Sequence, residues 1–92
     1  MAMNPTDLYK VIGDRLRRIR EQKRFSQQEM AGLLGSTTWA SWEKYESGRK
    51  EITIHELFNI AFALNVELED LIPKKSELTI LYSKEPLNDL DL

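Results

Sequence analysis

The sequence predicts an all-α domain of five helices followed by a short extended C-terminal arm. Three observations carry that expectation. Apolar residues recur at intervals of three and four as far as Pro73, the spacing that gives a helix one buried face. Two of the helix starts carry reciprocal capping signals, "SQQE" at Ser26 and "TIHE" at Thr53. The chain has 92 residues, 41% hydrophobic and 30% charged, enough for one modest core and one small domain.

Helix 1 is expected from about Asp7 to Lys23 behind a Thr6 cap, with Leu8, Val11, Ile12, Leu16 and Ile19 on one face. Helix 2 starts where the Ser26 hydroxyl caps and Glu29 reaches back to the Ser26 amide. Met30, Ala31 and Leu34 follow inward, and Gly35 ends the helix with a left-handed turn. Helix 3, drawn at about 100° per residue from a Thr38 cap, turns Ser41, Trp42 and Tyr45 inward. Ala40, Glu43, Lys44 and Ser47 then face out, with Trp39 on the border. Helix 4 runs from the Thr53–Glu56 box, burying Ile54, Leu57, Ile60, Ala61 and Leu64, to a turn at Asn65. A short helix 5 near Leu68 to Ile72 stops at Pro73.

Beyond Pro73 the pattern changes, which divides the chain into a helical domain over 1–73 and an arm over 74–92. "KKS" reads as a linker, "ELTILY" as a strand over 77–82, and "SKEPLNDLDL" as an acidic tail. On such a strand Leu78, Ile80 and Tyr82 share one face. A lone strand is unstable, so it pairs with its copy in a second chain, making a homodimer, or the arm lies along its own domain.

The net charge of −2 hides an asymmetry. Residues 1–50 hold ten Lys/Arg against six Asp/Glu, or +4, and residues 51–92 hold three against nine, or −6. The N-terminal half therefore has a surface suited to an anionic polymer. With no cysteine, neither a disulfide framework nor a thiolate metal site is possible, which suits a reducing cytoplasm. No uncharged stretch approaches the ~18 residues of a membrane span.

From Ile12 to Ile72 the chain resembles the lambda-repressor-like, or Cro-type, helix-turn-helix proteins, also called the XRE family. The resemblance rests on Ile19-Arg20 closing helix 1, Ser26-Gln27 opening helix 2, Ala31 and Gly35, then "YESGRK" and "ALNVELEDLI". It implies double-stranded DNA as the partner, no cofactor, and helix 3, about 38–47, as the element entering the major groove. Arg20 and Glu46 match a structural ion pair of the family. Gln27 matches a glutamine placed on the DNA backbone, where a helix N-terminus suits phosphate. Arg49 and Lys50 match a loop laid along phosphates.

The run from Gly35 to Glu46 is one residue longer than the family spacing, which places an extra residue among Ser36, Thr37 and Thr38. With that shift, Thr38, Trp39, Ala40, Lys44 and Ser47 fall where the family reads bases or phosphates, and Glu43 lies between them. Lys44 can donate to guanine or phosphate, Ala40 can touch a thymine methyl, and Glu43 can accept only from a cytosine amine. Such a protein is expected to be a dimeric repressor at a palindromic operator.

A second class of function is a protein-interaction module docking a basic regulator through the acidic C-terminal half, favoured if Trp39 and Leu33 form an exposed apolar patch. An enzyme is not expected. His55 is the only histidine and lies in the first turn of helix 4, and no glycine-rich phosphate loop is present.

Overall fold

Six helices, with no strand among the described residues, follow one another along the chain: α1 Pro5–Gln22, α2 Gln27–Leu34, α3 Trp39–Glu46, α4 Ile54–Leu64, α5 Leu68–Leu71 and α6 Lys75–Tyr82. The structure, a computed structural model, describes residues 4–35 and 37–82. The acidic tail and Ser36 lie outside them.

Each helix start is made by a local polar contact. The cap of α1 is Asn4, two residues earlier than the expected Thr6; its Oδ1 accepts from the Thr6 amide at 2.8 Å, and Pro5 opens the helix, where its missing N–H costs nothing. In α2 the Ser26 hydroxyl accepts from the Glu29 amide at 3.0 Å while Glu29 accepts from the Ser26 amide at 2.9 Å. The Ser26 amide first, and then the Ser26 hydroxyl, hold the Glu29 carboxyl below its ordinary range, because hydrogen bonding to the carboxylate favours its charged form. Thr38 caps α3 through the Ser41 amide at 3.1 Å, and Thr53 with Glu56 repeats the reciprocal box at α4. Asn65 closes α4 in the left-handed region at φ 55°.

The core lies where α1 to α5 converge, around the fully buried Leu16, Met30, Trp42, Ile60, Leu64 and Leu71. Two glycines set how closely α3 approaches α1. A Cβ on Gly13 would stand 2.3 Å from the Tyr45 carbonyl oxygen and 2.6 Å from that of Glu46. The end of α3 therefore rests backbone to backbone on α1. Gly48, at φ 73°, turns the chain out of α3 with a Cβ position only 2.7 Å from the Lys10 Cα.

Two further expectations are corrected. Residues 77–82 belong to helix α6, not to a strand, and the linker residues Lys75 and Ser76 are already in that helix. With no neighbouring strand among the described residues, the backbone satisfies its own hydrogen bonds as a helix. The start is organised by Glu77, which accepts from the Lys74 amide at 3.1 Å and pairs with Arg15 of α1. The Lys74 amide, and secondarily Arg15, holds the Glu77 carboxyl low. In a helix, positions 78 and 82 are one turn apart and 80 falls on the other side. The shared strand face of Leu78, Ile80 and Tyr82 therefore does not form; the side chains of Ile80 and Tyr82 lie outside the described set.

The second correction is Ile54. As the first residue of α4 it points away from the core and is 66% exposed. Its helical neighbours at four-residue spacing are Phe58 and Phe62, also exposed, instead of the buried Leu57 and Ile60.

Candidate nucleic-acid interface

The helix-turn-helix unit is α2, the turn through Gly35 to Thr38, and α3. Its inner side is organised around one carboxylate. Glu46, at the last turn of α3, is buried and accepts from Arg20 Nε at 2.5 Å and Nη2 at 3.1 Å. It also accepts from the Trp42 indole at 2.5 Å and the Gln27 amide nitrogen at 3.0 Å. Arg20 adds a bond to the Phe25 carbonyl at 2.6 Å. Four donor contacts on one buried carboxylate offset its desolvation. The bond to Glu46 likewise raises the pKa of the Arg20 guanidinium. Arg20 and Glu46 thus tie α1 to α3, and Gln27 ties α2 to the same point.

The network continues outward. Gln27 uses its nitrogen on Glu46 and its oxygen on the Trp39 indole N–H, 3.0 Å away. The Gln27 side chain is therefore a brace between α2 and the first turn of α3. Trp39, 55% exposed, has spent its single donor inside the protein. Arg20, Ser26, Gln27, Gln28 and Trp39 line a shallow open groove between the starts of α2 and α3. The first amides of a helix lack intrahelical partners.

The outer face of α3 is differently occupied. Ala40 and Lys44 are exposed, and the Lys44 ammonium makes no ion pair among the described residues. Thr38 is exposed at the N-cap. Glu43 pairs with Arg49, whose Nε also donates to the Ser47 hydroxyl at 2.9 Å. Glu43 thus faces a cation of its own chain. Lys50 sits 4.9 Å above the centre of the Tyr45 ring, and the Tyr45 hydroxyl donates to the Glu56 capping carboxylate. The ring meets Trp42 edge-on at 6.0 Å and 82°. His55 is exposed and bonds Asn59 at 3.3 Å. Leu33, like Trp39, is half exposed.

The family resemblance reached the Arg20–Glu46 pair, and helical spacing the exposure of Ala40 and Lys44. Sequence reading missed Gly13, the approach of Gly48 within "YESGRK" to Lys10, and the bonding of Gln27 to Trp39. The Trp42–Glu46 bond had a signal, since positions four apart meet on a helix. The Gln27–Trp39 bond joins two helices at a distance that spacing does not encode.

The sequence profile of the helix-turn-helix domain family matches residues 13–77. Among curated proteins, the chain is 35% identical over 81 residues to YqaE of Bacillus subtilis, described as an uncharacterized HTH-type transcriptional regulator. That match spans 86% of this chain and 69% of YqaE. Among solved structures, the restriction-modification controller protein C.AhdI of Aeromonas hydrophila is similar at a TM-score of 0.66 and 28% identity, over 70% of this chain and 96% of that one. The DNA-binding domain of S. venezulae BldD is similar at 0.67 and 26%, over 73% of this chain and 99% of that domain.

Proposed function

The chain belongs to the lambda-repressor-like helix-turn-helix transcriptional regulators, and on that premise we propose that it is a cytoplasmic, sequence-specific repressor binding a palindromic operator as a homodimer. One observation carries this reading. The inner side of α3 is held by a saturated polar network and a backbone contact on α1, while Ala40 and Lys44 stand exposed on its outer side. A helix so fixed brings its outer residues to a partner with little backbone entropy left to lose.

In the proposed complex α3 enters the major groove. Lys44 donates to a guanine edge or a phosphate, and Ala40 packs on a thymine methyl. Thr38 and the first amides of α2 meet the backbone, with Arg49 and Lys50 supplying sequence-independent attraction. Gln27 acts here as a brace that sets the α2 start against α3. Trp39, with its N–H engaged by Gln27, offers DNA only apolar surface, suited to a sugar or a thymine methyl. One short helix reads few bases, so two copies one DNA turn apart, ~34 Å, supply the specificity. Repression follows by occluding the promoter.

The test is selection from a random duplex library with purified protein at low salt, followed by salt titration of the winner. An enriched palindrome whose affinity falls steeply with salt is the expected result. Absence of enrichment at every salt concentration would overturn the DNA reading.

A further inference from the structure

The outer face of α4 has no task in the interface described above, and its composition is unlike the rest of the surface. Ile54, Phe58 and Phe62 are 66%, 56% and 90% exposed. They recur every four residues, so they form one row along the helix. Their exposed neighbours on that side, His55, Asn59 and Asn65, carry no formal charge at neutral pH. In a chain that is 30% charged, a charge-free row holding two phenylalanines has the make-up of an interface centre.

We propose that this row is the contact between two copies of the chain, two α4 helices packing antiparallel about a twofold axis through Phe58. The inference names the partner surface of the dimer and rests on the DNA-reading function to that extent. The spacing selects the occupant. Ile54 and Phe62 lie four residues either side of Phe58, about 6 Å along the axis in each direction. Reversing the helix about Phe58 brings Ile54 onto the partner's Phe62, Phe62 onto the partner's Ile54, and Phe58 onto its own copy. The row is therefore complementary to itself, as an isologous interface requires. The row itself carries no charge.

The size of the row sets the strength expected. Covering three such side chains removes on the order of 400 Å² per protomer, about half of the ~800 Å² per partner in a standard interface. The contact alone makes a weak, concentration-dependent dimer. Adjacent half-sites on DNA would complete it by holding the two copies close.

The chain has no cysteine, so single thiols can be placed on the row of the full-length protein without background. Under mild oxidation in the absence of DNA, F58C is expected to form a disulfide-linked dimer. I54C and F62C alone should not, whereas their mixture should crosslink to each other, since a disulfide needs Cα atoms within about 7 Å. Sedimentation of the unmodified chain should shift from monomer to dimer with concentration, and F58K should stay monomeric. Self-crosslinking of I54C and F62C would overturn the antiparallel arrangement. A monomer at all concentrations, with no crosslinks and a thiol freely alkylated in F58C, would overturn the contact and leave the face to a different protein. A monomer whose F58C thiol is protected until residues 83–92 are removed would overturn it in favour of the tail. Because no DNA is present, a monomer that still enriches an operator rejects only the α4 contact, and a crosslinked dimer that enriches none rejects only the DNA reading.

Discussion

The inner side of α3 and the outer side of α4 solve opposite problems with similar numbers of large side chains. Around Glu46, every strong polar group has a partner in the same chain: Arg20, Gln27 and Trp42 converge on one carboxylate, and Trp39 is tied in through Gln27. Along α4, Ile54, Phe58 and Phe62 meet no comparable partner among the described residues and are mostly exposed. The first region spends its interactions on placing a helix. The second leaves apolar surface whose burial would yield energy only on association. In the proposed function, placement of the reading element and coupling to a partner are thus separated onto two helices.

The most damaging way to break the comparison is Glu46→Ala. It strands a buried guanidinium and two further donors, and should lower unfolding stability by about 3 kcal/mol or more in urea denaturation. A loss below ~1 kcal/mol would mean the network is not what holds α3. Gly13→Ala comes next. The added methyl meets two carbonyl oxygens of α3 that cannot yield cheaply, so a loss of about 2 kcal/mol is expected, together with weaker DNA binding as α3 is pushed from its seat.

Smaller effects separate the outer residues of α3. Lys44→Ala should weaken the selected operator by about 1 kcal/mol more than random duplex, whereas Arg49→Ala should weaken both alike and flatten the salt slope by about one unit. Unchanged binding in both variants would remove α3 from the groove. The helix starts sharpen the comparison with pH. Glu29 and Glu77 have carboxyl pKa values below the ordinary 4.5, so they contribute stability above that value that is lost as pH falls through their lower folded values. The double variant Glu29→Gln, Glu77→Gln should show a shallower loss of thermal midpoint between about pH 5 and pH 3; an unaltered slope would reject both carboxylates as the source. Smallest of all, Phe62→Ser should change monomer stability by no more than ~0.5 kcal/mol, since that ring is exposed. A larger loss would show that the row already packs on its own domain.

Helix order and three of the caps were legible in the sequence because Ser26–Glu29, Thr38 and Thr53–Glu56 act within a single turn. The Arg20–Glu46 pair was reached through the family resemblance. The misreadings have physical causes. The run "ELTILY" carries strand propensity, but Glu77 closing on the Lys74 amide and on Arg15 starts a helix, and propensity yields to tertiary context. Ile54 fitted the buried spacing of Leu57 and Ile60 equally well as the exposed spacing of Phe58 and Phe62. Only the placement of α4 on the core decides between two such rows. The bond between Gln27 and Trp39 depends on two rotamers across the turn, which no one-dimensional pattern contains.

The contrast between the two tryptophans has an optical consequence. Trp42 is fully buried with its indole bonded to a carboxylate, and Trp39 stands more than half in solvent three residues away. Their emission should separate into a blue component resistant to aqueous quenchers and a redder one open to them. Because Trp39 lies at the edge expected to face DNA, duplex binding should shield the red component alone, so the unlabelled protein can report its own occupancy in a titration.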